Sequence, residues 1–271
     1  MVILKAGYGL DPNGFIVSDV SKEKIDNVFV PCIQQSVDSL KKLFPRQLHS
    51  VYVYGSVARG EAIALKSDLD LIALFDNKLS AFKMAELKNL ARELSQKYCS
   101  LVRDVGIAVA YYDYTVDPSN YYDSAFLKEL CVCVYGEDLG KRFGPYKLTS
   151  EIAIRFNGDI CEVLTRTLNK LKTASNEEII IILQGFARKL IRTFYSMVMV
   201  RSQIWSTRLH EQSEVFIHHF PDKKSIILTL LKWIEEPPTD REAVYELFIR
   251  EGEWACAHFA HEVSISNSNN V

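Results

Sequence analysis

The chain has 271 residues, 48% of them hydrophobic and 24% charged, with a formal net charge of −2. That is the composition of a well-cored globular protein of one or two domains, and it excludes a low-complexity chain. A pI near 6.3 leaves no basic surplus, which weighs against nucleic acid as a partner, and no apolar run is long enough to cross a bilayer.

In chain order, Gly7, Gly9, Pro12, Asn13 and Gly14 make residues 1–20 an irregular arm. Apolar residues at near-helical spacing predict a helix over 21–44, capped by Ser21, with Pro31 either kinking it or starting a second helix. Val51-Tyr52-Val53-Tyr54 reads as a first strand and residues 69–75 as a second. A helix is expected over 80–98, a third strand over 101–111, a helix near 122–130 and a short strand over 131–135. On the third strand Val105, Ile107 and Val109 share one face, and Asp104, Gly106 and Ala108 the other. Gly136, Gly140, Gly144 and Pro145 mark a boundary. Beyond it the pattern is helical, with segments expected over 150–172, 177–201, 207–219, 223–235 and 240–262, and a disordered tail over 264–271.

The six cysteines include no CxxC pair, and no long apolar stretch opens the chain. Reduced thiols in a cytoplasmic protein are therefore expected. Cys131 and Cys133 alternate on a strand, and their shared face reads as buried packing rather than half of a zinc site.

The most informative stretch is Gly55-Ser56-Val57-Ala58-Arg59-Gly60, followed by Lys66-Ser67-Asp68-Leu69-Asp70-Leu71. A glycine-serine turn after an apolar strand lets backbone N–H groups approach phosphate oxygens. Asp68 and Asp70 lie two residues apart at the mouth of the next strand, so they point the same way. Two hard oxygen ligands side by side suit Mg²⁺ bridging a nucleoside triphosphate. The plainer readings are a tight turn and a helix cap. An unpaired carboxylate entering a sheet is costly, however, so a metal or another cation is expected beside Asp70.

This order of features, with Asp104 as a third carboxylate on the following strand, resembles the DNA polymerase β-like nucleotidyltransferase superfamily. The surrounding residues, and Tyr135-Gly136-Glu137-Asp138-Leu139, look most like its small bacterial branch. A two-part chain of this length resembles the streptomycin/spectinomycin-type aminoglycoside adenylyltransferases, to which antibiotic resistance attaches. Arg192-Thr193-Phe194-Tyr195-Ser196 is similar to a stretch in that group's helical domain. The resemblance implies an α+β fold: a nucleotidyltransferase domain over 21–146, with a small mixed sheet and flanking helices, then an all-helical bundle over 147–263.

It also implies a mechanism. Asp68, Asp70 and Asp104 would be catalytic and would hold two Mg²⁺ ions, with Asp104 as metal ligand, general base or both. Gly55, Ser56, Arg59 and Ser67 would bind nucleotide, joined by Arg192 and, more loosely, Arg208. ATP would give AMP to a hydroxyl of a small molecule, such as an aminoglycoside, releasing pyrophosphate. Competing readings are AMP transfer to a protein target, a catalytically silent nucleotide-binding module, and polynucleotide or tRNA-end transfer. The protein-target relatives often pair with an Arg-x(4–6)-His ribonuclease motif, which the helical half lacks.

Overall fold

The computed structural model describes residues 4–268. They form two compact units: one from Val17 to Tyr146, the other from the N-terminal segment up to Ile16 with the chain from Lys147 onward. The arm is irregular, as its glycines dictate. Residues of its first part belong with the helices, where Gly7 N donates to Gln203 O at 2.7 Å and Trp205 N to Tyr8 O at 2.9 Å.

The first unit is a mixed α+β layer. After a single 3₁₀ turn at Lys22–Lys24, helix α1 spans Val30–Leu43. Pro31 stands in its first turn, where a missing N–H costs nothing, so it starts a helix rather than kinking a longer one. Strand β1 (Leu48–Tyr54) leads through the short α2 (Gly55–Arg59) to β2 (Leu69–Phe75). Helix α3 (Ala81–Lys97) is capped by Ser80, whose hydroxyl accepts from Lys83 N at 3.3 Å. Strand β3 (Val105–Tyr111), α4 (Tyr112–Val116), α5 (Ser124–Leu130) and β4 (Cys131–Gly136) follow.

The strand order is β3-β2-β1-β4, with β2–β3 parallel and the other pairs antiparallel. β1 and β2 are the inner strands and read as near-continuous apolar runs because both their faces are covered. On one face Val51, Val53, Leu69, Leu71, Ala73, Phe75 and Val105 pack against α1 and α3. On the other, Tyr52, Ile72 and Leu74 meet Leu127, Cys131 and Leu139. Gly136 (φ +80) lets β4 turn tightly, since a Cβ there would lie 2.1 Å from His49 O. The Tyr52 hydroxyl then pins the next residues, donating to Glu137 O and accepting from Leu139 N.

The second unit is helical: α6 (Ser150–Asn157), α7 (Ile160–Thr173), α8 (Asn176–Ser202), α9 (Leu209–His219), α10 (Lys224–Glu235) and α11 (Arg241–Ser268). The single helix expected over 150–172 is two, broken at Gly158, where a Cβ would lie 2.6 Å from Ile154 O. α8 is the central helix, buried along most of its last five turns. Trp254 of α11 packs among Phe194, Phe216 and Phe220.

Two expectations are corrected. Cys161 and Cys256 form a disulfide between α7 and α11, with Cα atoms 5.4 Å apart, where reduced thiols were predicted. Their 95-residue separation hides a contact that exists only once the helices pack. The tail predicted from Ser264 is helical through Ser268, because Val263 is buried and its carbonyl accepts from Ser150 Oγ at 3.2 Å, anchoring that turn. Residues 269–271 of that tail lie outside the described residues. Among the described residues no helix is long and apolar enough to cross a membrane.

Candidate active site

The turn between β1 and α2 sets the geometry. Gly55 has φ +76, and a Cβ on it would lie 2.8 Å from Asp70 Oδ2. The absence of a side chain there leaves a cradle in which the carboxylate of β2 approaches the backbone. Across the sheet Asp70 pairs with Tyr54 on one side and Gly106 on the other. A Cβ on Gly106 would come within 3.4 Å of Asp70 Oδ1, so Asp70 is flanked by glycines of two different segments. By strand alternation it shares the face of Ile72 and Leu74, opposite α1 and α3.

Asp68 stands just before β2 on the same parity. Its two oxygens accept from one guanidinium: Arg103 Nε to Oδ1 at 2.9 Å and Arg103 Nη2 to Oδ2 at 2.5 Å. Hydrogen bonding to Asp68, with the charges of Asp104 and Asp70 near by, raises the Arg103 pKa. Ser67 shapes the approach: its hydroxyl accepts from Ile63 N at 2.9 Å, closing the 63–67 loop. Ser56 is half-buried in the first turn of α2. Arg59, at that helix's end, pairs with Glu61 at 2.9 Å.

Asp104 lies one residue before β3, beside Asp68 through the Leu69–Val105 pairing. Its Oδ1 accepts from Ser95 Oγ of α3 at 2.5 Å, and Ser95 also accepts from Val105 N at 2.9 Å. The structure thus sets Asp70 against the glycine turn, pairs Asp68 with Arg103 just before β2, and holds Asp104 on Ser95 of α3. Among the described residues no three His, Cys, Asp or Glu side chains converge as a metal-binding group. The pair still fits Mg²⁺ in donor chemistry, being hard anionic oxygens two residues apart, with Asp70 beside a glycine cradle. A chain-borne cation, Arg103, already answers the charge of Asp68.

The remaining two sequence candidates belong to the helical unit. Arg192 is exposed on α8. One turn earlier Lys189 bonds Asp159 at 2.6 Å and Asn157 Oδ1 at 3.0 Å, and burial lowers its pKa. Arg208 stands at the N-cap position of α9, near Glu211, to which Tyr8 donates. Sequence reasoning overlooked Arg103 and Ser95. Arg103 immediately precedes Asp104, but nothing local marks it as the partner of an aspartate 35 residues away.

The fold and the turn define the class of the first unit. Residues 33–123 match the nucleotidyltransferase domain family. In overall structure the chain is similar to a spectinomycin adenyltransferase, AAD(9) from Enterococcus faecialis, crystallised with ATP and spectinomycin. The TM-score is 0.52 at 12% identity, over 82% of this chain and 98% of that one, a likeness of fold. No curated protein matches the chain in sequence.

Proposed function

We propose that the chain is a Mg²⁺-dependent adenylyltransferase that moves AMP from ATP onto a hydroxyl of a small molecule. The observation that carries this reading is the Gly55 turn set against Asp70, with Asp68 two residues earlier in the chain. Two carboxylates beside a glycine cradle suit a metal–triphosphate far better than they suit an apolar ligand.

In this reading Asp68 and Asp70 hold the metal, and the Gly55 backbone and Ser56 hydroxyl hold the outer phosphates. Ser67 keeps the Asp68 loop in place, and Arg59 adds positive charge near the leaving pyrophosphate. Bound there, Mg²⁺ neutralises the triphosphate and lowers the pKa of the acceptor hydroxyl. Asp104, once it leaves the Ser95 hydroxyl, takes the proton as the acceptor oxygen bonds to the α-phosphorus. The bond from that phosphorus to the bridging oxygen breaks, and pyrophosphate leaves with its electron pair. Arg192 and Arg208 are proposed as nucleotide ligands from the helical unit.

Likeness to a spectinomycin adenyltransferase supports aminoglycosides and aminocyclitols as the first acceptors to try. The test is a Mg²⁺-dependent pyrophosphate-release assay with ATP and the other triphosphates across such a panel, with Asp70→Asn as control. Release with one acceptor, lost in the variant, is expected. Release that survives Asp70→Asn would overturn the assignment.

A further inference from the structure

Asp68 already holds a cation supplied by the chain itself. Arg103 grips Asp68 through both carboxylate oxygens, and its guanidinium also lies in the field of Asp70 and Asp104. A fork of this kind occupies one lone pair on each oxygen and so competes with an inner-sphere metal for the carboxylate. A divalent ion and a guanidinium held against one carboxylate would also repel each other.

We propose that Arg103 is a counter-cation competing with the divalent metal for Asp68, so that loading the metal requires the guanidinium to let go. This rests on the metal–nucleotide reading of Asp68 and Asp70. The backbone is arranged so that only a side chain has to move. Arg103 N donates to Ser67 O at 3.0 Å and Leu69 N to Asp104 O at 2.9 Å, which ties the two segments together whatever the guanidinium does. The Arg103 side chain is 43% exposed, leaving it room to swing into solvent. The consequence is a site with weakened affinity for free metal, loaded preferentially by metal that arrives on a triphosphate.

The experiment is a titration of the full chain with Mn²⁺, without nucleotide, reading free Mn²⁺ by electron paramagnetic resonance. Arg103→Gln is expected to bind Mn²⁺ roughly fivefold more tightly than the unaltered chain, the factor that corresponds to losing one partly exposed ion pair. Arg103→Lys, which keeps the charge but not the fork, should fall between. Asp68→Asn should bind weakly, and adding Arg103→Gln to it should change nothing further. A parallel melting series should show Arg103→Gln less stable than the parent in chelator and restored by Mn²⁺. Equal or weaker Mn²⁺ binding in Arg103→Gln, with the Asp68→Asn loss intact, would overturn the competition alone. Undiminished binding in Asp68→Asn would overturn the competition together with the metal site it rests on.

Discussion

A single methyl group is enough to test the site at the residue scale. Gly55→Ala forces a left-handed φ on a residue with a Cβ and drives that Cβ against Asp70 Oδ2. The backbone penalty alone is about 1–2 kcal/mol. Since the displaced group is a proposed metal ligand, pyrophosphate release (kcat/KM) should fall by at least about tenfold. The fold should persist, and circular dichroism checks that. Asp104→Asn should lower kcat far more than the KM for ATP, because the lost function is proton removal from the acceptor; steady-state kinetics separate the two. The approach of Asp70 to the Gly55 turn was legible because strand, turn and strand are neighbours in sequence. The Asp68–Arg103 and Asp104–Ser95 contacts were not legible. Both depend on β2, β3 and α3 coming together, and neither alters the local pattern of residue types.

At the scale of elements, helix ends carry measurable stability. Ser175 and Glu178 form a reciprocal capping box at the start of α8, with Glu178 N donating to Ser175 Oγ and Ser175 N to Glu178 Oε2. Ser175→Ala should cost about 1 kcal/mol, seen as a lower denaturation midpoint with an unchanged slope. The strand β2 was read over its observed span, since its run between Asp68 and Asp76 is apolar apart from Asp70. Helix boundaries were read less well where a steric detail decided them. Gly158 splits one expected helix, and the Val263 anchor carries another past its apolar pattern. The Cys161–Cys256 bridge is likewise a product of α7–α11 packing, which spacing along the chain does not encode.

Across each whole unit, buried groups set how stability responds to conditions. Glu129 of α5 is 3% exposed, and burial raises its pKa to about 7, with Lys128 opposing only in part. A carboxyl raised in this way binds its proton more tightly when folded than when unfolded. Its cost is therefore absent at acid pH and grows as pH rises from the ordinary carboxylate range to about 7. Glu129→Gln should remove that decline and stabilise the chain at pH 8 by roughly 2–3 kcal/mol at most, measured by denaturation across pH. In the helical unit Phe248 is fully buried between Phe186 and Trp233, and Phe248→Ala should cost about 3–5 kcal/mol. The two-part α+β outline was legible because strand periodicity ends near the boundary glycines and does not return. The joining of residues up to Ile16 to the helical unit was not, since an irregular arm carries no periodic signal of its partner.

Calorimetry with a non-hydrolysable ATP analogue, with and without Mg²⁺, reads whether the Gly55 turn with Asp68 and Asp70 binds a metal–triphosphate. Binding that requires Mg²⁺ and weakens at least about tenfold in Asp70→Asn is the predicted result. Equal affinity in the variant, or binding indifferent to Mg²⁺, would contradict it.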